Sequence, residues 1–382
     1  MSKMYKKLLL APGPTPLPPE VKLAGAWDIA HHRNPEAIEA LKTCIKNFQW
    51  LLGTKHDIHL LASSGSGAME TAFVNTISPG DKVVVINAGN FGTRWLKIAK
   101  TYKANAIEIQ KTWDQVVTPD ELKKVLDENP DTKAVFCQLS ETSSGACSSV
   151  KEFAEIVSKT DAIIVVDGVS GVGVVPLDMD DWKVDVVVGG SQKGLMLPPG
   201  MGFVAINDKA WKLVETCTTP RFYLNLLESK KHLDKGTMTP WTSAITIVNQ
   251  ANVAFEMMKE EGREEMWNRF KKLAAGLRQA MFAMNLKLWH ECPGDAVTAV
   301  AIPENLKDGG KIPAIMRDEF GVTIAGAQGD YKGKFIRIGT MGAMDFYDEL
   351  CCVAALEKTL VKLGWDFEVG AGITAFQKAM LD

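Results

Sequence analysis

Six short apolar runs punctuate residues 59–206: His59–Ala62, Val83–Ile86, Ala134–Leu139, Ala162–Val166, Val184–Val188 and Gly202–Ile206. Several are continuously apolar, the pattern of strands covered on both faces. Helix-length segments separate most of them, which predicts a parallel sheet with crossover helices. Farther on, Trp267, Phe270, Ala274, Leu277 and Met281 recur at three- and four-residue spacing, so residues 249–285 read as a long helical region. The pattern then changes to a strand at Ala296–Ile302, a helix near Ile312–Phe320, short strands at Val322–Ala325 and Phe335–Ile338, and a closing helix over Asp345–Leu363. This predicts an α/β chain whose large domain, residues 21–258, is followed by a smaller α+β domain over 259–382. The start carries Pro12, Pro14, Pro16, Pro18 and Pro19, so residues 1–20 form an extended arm that packs on a partner subunit or on the small domain.

Composition narrows the function classes. The 382 residues are 46% apolar and 23% charged, and 43 basic against 46 acidic residues leave no electrostatic footprint for nucleic acid or anionic lipid. No apolar stretch reaches a membrane span, and residues 1–7 lead only into a short Leu8–Ala11 run. The seven cysteines are odd in number, scattered and without a CxxC pair, which reads as reduced thiols in a cytoplasmic protein rather than disulfides or a zinc site. A small-molecule ligand is the expectation.

In an open α/β sheet that ligand sits beyond the carboxyl ends of the strands. The residues there are Ser63-Ser64-Gly65-Ser66-Gly67, Asn87-Ala88-Gly89-Asn90-Phe91-Gly92, Ser140-Glu141-Thr142-Ser143-Ser144-Gly145, Asp167, and Gly189-Gly190-Ser191-Gln192-Lys193-Gly194. The Ser/Gly loop before a helix suits a phosphate dianion, although alone it is equally an ordinary strand-to-helix turn. Asp167 ends an apolar strand, where a buried carboxylate needs a cation or hydrogen bonds; it is also placed to cap the turn over 168–173. Lys193 follows a buried strand, a position that desolvates an amine, while a lone loop lysine is ordinarily a solvated charge. Phe91 offers a flat apolar face or simply core packing. Arg337, opposite Ile336 and Ile338 on its strand, can grip a carboxylate through two parallel bonds or form a surface ion pair. Together, a phosphate cup, an acid, a lysine and an aromatic ring match what pyridoxal phosphate requires: a phosphate site, a partner for the pyridine nitrogen, an amine for the aldehyde and a surface for the ring.

Along nearly its whole length the chain also resembles the class V (fold type I) pyridoxal-phosphate aminotransferases, specifically the alanine/serine–glyoxylate group. The residues that carry the resemblance are Leu9–Thr15, His32-Arg33-Asn34-Pro35-Glu36, Ser64–Gly67, Asn90-Phe91-Gly92, Glu141–Gly145, Val166–Ser170, Ser191–Gly194, Pro198-Pro199-Gly200 and Arg337-Ile338-Gly339. The resemblance implies a mainly parallel seven-stranded-type sheet in the large domain and a homodimer with shared active sites. It implies that Lys193 binds the cofactor aldehyde and then carries the proton between Cα and C4′. Asp167 would pair with the pyridine nitrogen and Thr142 would bond the 3′-oxygen side. Ser66, Gly67 and Gln192 would hold the phosphate, with Thr239 or Thr242 reaching in from the partner, and Arg337 with the backbone of Gly13 would bind the substrate carboxylate. The implied reaction moves the amine of alanine or serine to glyoxylate or pyruvate. Alternatives are aspartate or an aminophosphonate as donor, for which Arg33 and Arg221 are the available cations, and a cysteine-desulfurase-type lyase. Two departures stand out: Phe91 occupies a position that is often tryptophan, and Lys235-Gly236-Thr237-Met238 replaces an aromatic and histidine run. The lyase pattern usually has histidine at positions 192 and 91 and a cysteine shortly before Arg337. This chain has Gln192, Phe91 and no cysteine between Cys292 and Cys351. His31 and His32 either line the entrance or are structural.

Overall fold

The computed structural model describes residues 7–381; the first six residues of the arm and Asp382 lie outside the described residues. A seven-stranded sheet runs in the order Asp57–Leu61, Gly202–Ile206, Val186–Gly190, Ile163–Asp167, Ala134–Gln138, Lys82–Asn87, Asn105–Gln110. Alternation along each strand divides its side chains between two cores. Val84, Ile86, Val135, Ile164, Val166, Val187 and Phe203 face one, and Val83, Val85, Phe136, Val165, Val186, Val188 and Val204 face the other. That is why the runs are continuously apolar.

The sheet departs from the sequence pattern in two places. Gly202–Ile206 pairs antiparallel with both its neighbours, whereas the remaining contacts are parallel. The segment joining it to Val186–Gly190 contains no helix, and a parallel return needs a crossover of about a dozen residues or more, usually helical. The chain therefore turns straight back, and this return carries Lys193. The second is the edge strand Asn105–Gln110, which is largely exposed; Ile107 and Ile109 alone are too weak an apolar signal.

The helical region at 249–285 is two helices, Ile245–Glu261 and Arg263–Ala283, because Gly262 at φ +87° interrupts it. Beyond them a three-stranded sheet is ordered Val297–Ala301, Phe335–Gly339, Ala325–Gly326, placing Arg337 opposite Ala299 and Ala325. The expected strand at 322–325 is two short pieces, and Val322–Thr323 pairs in parallel with Leu8–Leu9. The closing helix spans Phe346–Lys362 under an Asp345/Asp348 capping box, and a further helix, Ala371–Ala379, follows.

Candidate active site

Four strand ends and the proline-rich segment build one pocket. The helix Gly65–Thr76 starts where the Asp57–Leu61 strand turns, and its first intrahelical bond runs from Ala68 N to Ser64 O at 3.2 Å. The N–H groups of Gly65, Ser66 and Gly67 precede that bond and are the helix's open N-terminal donors, at its partially positive end. A Cβ at Gly65 would stand 2.7 Å from a Val169 methyl, so glycine is required for the helix to seat against the turn after Asp167.

Asp167 is the last residue of its strand and 4% exposed. Its Oδ1 accepts from Val169 N at 2.9 Å, and among the described residues no salt bridge reaches it. Burial pushes its carboxyl up to about 6, and the neighbouring Glu141 carboxylate adds to the rise. Lys193, 8% exposed, donates to the carbonyl of Pro12. Burial lowers its amine to about 8, with the positive charge of Arg337 acting in the same direction and Asp167 opposing. These are desolvated charges of opposite sign in one cavity.

The segment that faces Lys193 comes from the chain's own N-terminal side. Gly339 N donates to Leu10 O at 2.7 Å, Thr15 N to Gln192 O at 3.1 Å and Thr15 Oγ1 to Lys193 O at 3.0 Å. Gly13 lies between these tethers at φ +92°, and a Cβ there would fall 2.3 Å from Lys193 Cδ. No other residue type fits without displacing the lysine.

Phe91 is in the first turn of the helix Asn90–Thr101, whose N-terminus is capped from a distance. Glu141 Oε2 accepts from Phe91 N and Gly92 N, each at 3.1 Å, and Ser143 Oγ accepts from Asn90 N at 2.8 Å. Glu141 is 2% exposed, and burial raises its carboxyl against these stabilising bonds. The adjacent Thr142 bonds Ser170 Oγ through its hydroxyl, and its carbonyl accepts from Arg337 Nη1 at 2.8 Å. The Nε and Nη2 of Arg337 donate to Gly326 O at 3.1 and 2.8 Å. Burial lowers this guanidinium to about 10, while Glu141 holds it up. One loop, Glu141-Thr142-Ser143, thus ties the aromatic ring to the arginine.

Of the residues singled out by sequence, Gly13, Ser66, Phe91, Asp167, Gln192 and Lys193 line this one pocket. Gly67 belongs to the same helix N-terminus, and Thr142 and Arg337 join through the bonds just described. Thr239 and Thr242 instead line a separate hollow with Tyr223 and Trp241, where Thr239 Oγ1 donates to Trp241 O at 3.0 Å. Arg33 holds that loop, donating to Thr237 O at 2.6 Å and Thr239 O at 2.7 Å, and Arg221 is engaged with the carbonyls of Cys217, Thr219 and Val214. His31 and His32 line a hollow beside Thr242. Sequence reasoning missed Arg94, Met69 and Val169, which also line the pocket, and the capping role of Glu141. For Arg94 the available signal was its spacing of three residues from Phe91 at the start of a helix.

A family profile described as Aminotransferase class-V matches residues 23–304. A relative from Synechococcus named a soluble hydrogenase small subunit is 37% identical, covering 98% of each chain. An L-aspartate–glyoxylate aminotransferase from Paracoccus denitrificans is 30% identical, covering 97% of this chain and 95% of its own. The crystal structure of a ureidoglycine–glyoxylate aminotransferase from Bacillus subtilis superposes with a TM-score of 0.93 at 25% identity, over 99% of this chain and 98% of that one.

Proposed function

The chain belongs to the class-V aminotransferases, and we propose that it moves the amino group of a small monocarboxylic amino acid, alanine or serine, to a small 2-oxo acid, glyoxylate or pyruvate. It is a pyridoxal-phosphate-dependent transaminase. Its pocket fits that cofactor on its own terms: a buried carboxylate with no salt bridge among the described residues, a desolvated lysine and an open helix N-terminus meet in one cavity. This convergence is the observation that carries the reading. The hydrogenase name of the Synechococcus relative does not describe such a pocket, whose groups answer an aldehyde, a pyridinium and a phosphate.

When bound, pyridoxal phosphate supplies a carbonyl that takes up the amine and a ring that accepts charge developing at the substrate Cα. The chain's residues supply the rest. Lys193 would hold the aldehyde, and its amine would carry the proton from the substrate Cα. Asp167 keeps a proton on the ring nitrogen. The donors at Gly65, Ser66 and Gly67 would take the phosphate, with Gln192 beside them, and Thr142 would hydrogen-bond the 3′-oxygen side of the ring. Phe91 and Val169 supply apolar walls. Arg337, oriented by its bonds to the Gly326 and Thr142 carbonyls, would bind the substrate carboxylate with the backbone of Gly13.

The acceptor assignment draws support from relatives that share glyoxylate in their names while differing in donor. The donor assignment rests on where this chain's arginines lie: Arg33 holds the loop at Thr237–Thr239 and Arg221 the carbonyls of Cys217 and Thr219, and neither lines the pocket. The Phe222, Tyr223 and Trp241 rings cluster beside Thr239 and Thr242, and Phe222 is 79% exposed. An exposed aromatic cluster of this kind supports a homodimer, in which Thr239 or Thr242 would reach the partner's site. All seven cysteines are free, which supports a cytoplasmic setting, and among the described residues no helix is long and apolar enough to cross a membrane.

The direct test is spectroscopic. The purified protein with cofactor is expected to absorb near 420 nm and to lose that band on adding alanine or serine. Glyoxylate or pyruvate is expected to restore it, with aspartate and aminophosphonates far slower. A protein that stays colourless with pyridoxal phosphate, or bleaches fastest with aspartate, overturns the cofactor or donor assignment respectively. For Arg337→Lys, replacing a two-pronged grip by a single ammonium is expected to raise KM about tenfold or more with a smaller change in kcat. Steady-state kinetics with alanine as the varied substrate checks this, and an unchanged KM removes Arg337 from the carboxylate site.

A further inference from the structure

Arg94 is the cation in the pocket for which the reading above has no use. It lies three residues after Phe91 on the same helix face, and its guanidinium carbon sits 4.6 Å over the Phe91 ring. Its Nη1 donates to Ser66 Oγ at 3.0 Å, the hydroxyl at the open N-terminus of the neighbouring helix. Among the described residues this is the side chain's hydrogen-bond acceptor, and no carboxylate makes a salt bridge to it. The planar group is therefore pre-oriented at two points, with most of its donors unspent.

We propose that Arg94 binds the phosphate of the cofactor, alongside the Gly65–Gly67 amides. The inference rests on the cofactor assignment made above and adds a ligand to it. Charge balance favours it. A helix N-terminus contributes roughly half a positive charge, far short of a phosphate dianion. Lys193 is committed to the aldehyde, and Arg337 is anchored to Thr142 O and Gly326 O at the substrate end. Arg94 is the full cation already hydrogen-bonded to a residue of the phosphate cup. The same placement makes it a poor receiver for a second substrate carboxylate, since its fork is held at the phosphate end of the pocket.

The test separates phosphate from ring by comparing pyridoxal phosphate with pyridoxal, which lacks the phosphate. Cofactor-stripped wild type, Arg94→Gln and Arg94→Lys are titrated with each compound, following the absorbance near 420 nm, and with inorganic phosphate by calorimetry. Arg94→Gln is expected to weaken pyridoxal phosphate and inorganic phosphate about ten- to a hundredfold, the scale of a charged hydrogen bond, and to change pyridoxal less than twofold. Arg94→Lys should recover part of the loss. Equal weakening of pyridoxal phosphate and pyridoxal, or unchanged phosphate affinity, overturns the proposal; the pyridoxal arm also reports a misfolded variant. A wild type that binds phosphate with Arg94-dependent affinity but develops no colour would overturn the cofactor assignment while leaving Arg94 as an anion ligand.

Discussion

Lys193→Ala is expected to lower turnover by about three orders of magnitude or more while leaving the cofactor bound without a covalent link. The lysine does two things that no neighbour can take over. In the proposed reaction its amine would hold the aldehyde and then move the proton at Cα, a role whose loss typically costs a factor of about 10² to 10⁴. The amine suits both tasks because burial lowers it to about 8, with Arg337 adding to the shift, so a far larger unprotonated fraction is present near neutrality than for an ordinary lysine. The sign follows: below that value the amine carries a proton and cannot attack a carbonyl, and above it the amine is free. In the cofactor-stripped wild type, the rate of colour development on adding pyridoxal phosphate should therefore rise with pH and level off above about 8. In Lys193→Ala the covalent band should be missing, and small external amines should recover some proton transfer. Rapid-mixing absorbance across pH 6 to 9, with and without methylamine, measures both. Wild-type turnover in Lys193→Ala would remove the lysine from the mechanism.

What could be read in advance, and what could not, follows from the range over which each signal acts. Ser66, Asp167 and Lys193 were legible because each directly follows an apolar run, and the carboxyl ends of such runs share one edge of a sheet. Gly13 was legible only by resemblance; its reason, the 2.3 Å approach to Lys193 Cδ, is a contact between segments remote in the chain. Arg94 escaped because a basic residue one turn into an amphipathic helix has the local pattern of a solvated charge. Glu141 escaped for a similar reason. Its four partners, Phe91 N, Gly92 N, Ser143 N and the Ser143 hydroxyl, are tertiary or turn contacts, and a buried carboxylate among serines resembles a polar loop. In the fold, the direction of Gly202–Ile206 was hidden because an apolar run specifies burial and not polarity; the missing crossover decides it. Asn105–Gln110 is held by pairing to Lys82–Asn87 at the sheet edge rather than by apolar content.

Asp167→Asn is expected to retain the fold and the cofactor and to lower kcat about a hundredfold. Asparagine preserves the shape and the acceptor for Val169 N, which is bonded at 2.9 Å, so the turn after the strand should survive. What it removes is the negative charge that, on the proposed reading, pairs with the ring nitrogen. Burial and Glu141 push the Asp167 carboxyl up to about 6. A cation placed against it should reverse that shift, because an opposite charge at hydrogen-bond distance favours the ionised form. The same pairing holds the proton on the ring, and a hydrogen bond between charged groups contributes about 1.5–3 kcal/mol, which corresponds to roughly one to two orders of magnitude in rate. Two consequences separate this role from mere packing. The variant's activity should recover with a cofactor analogue carrying a fixed positive charge at the ring nitrogen, which needs no proton from the protein. The pH dependence of the first half-reaction should also change, since wild type keeps the ring charged across neutrality and Asp167→Asn does not. Single-turnover kinetics with alanine, using pyridoxal phosphate and its N-methyl analogue, measure both effects. If the analogue gives Asp167→Asn no advantage, the carboxylate is structural, and its burial at the end of an apolar strand is explained by the turn it caps.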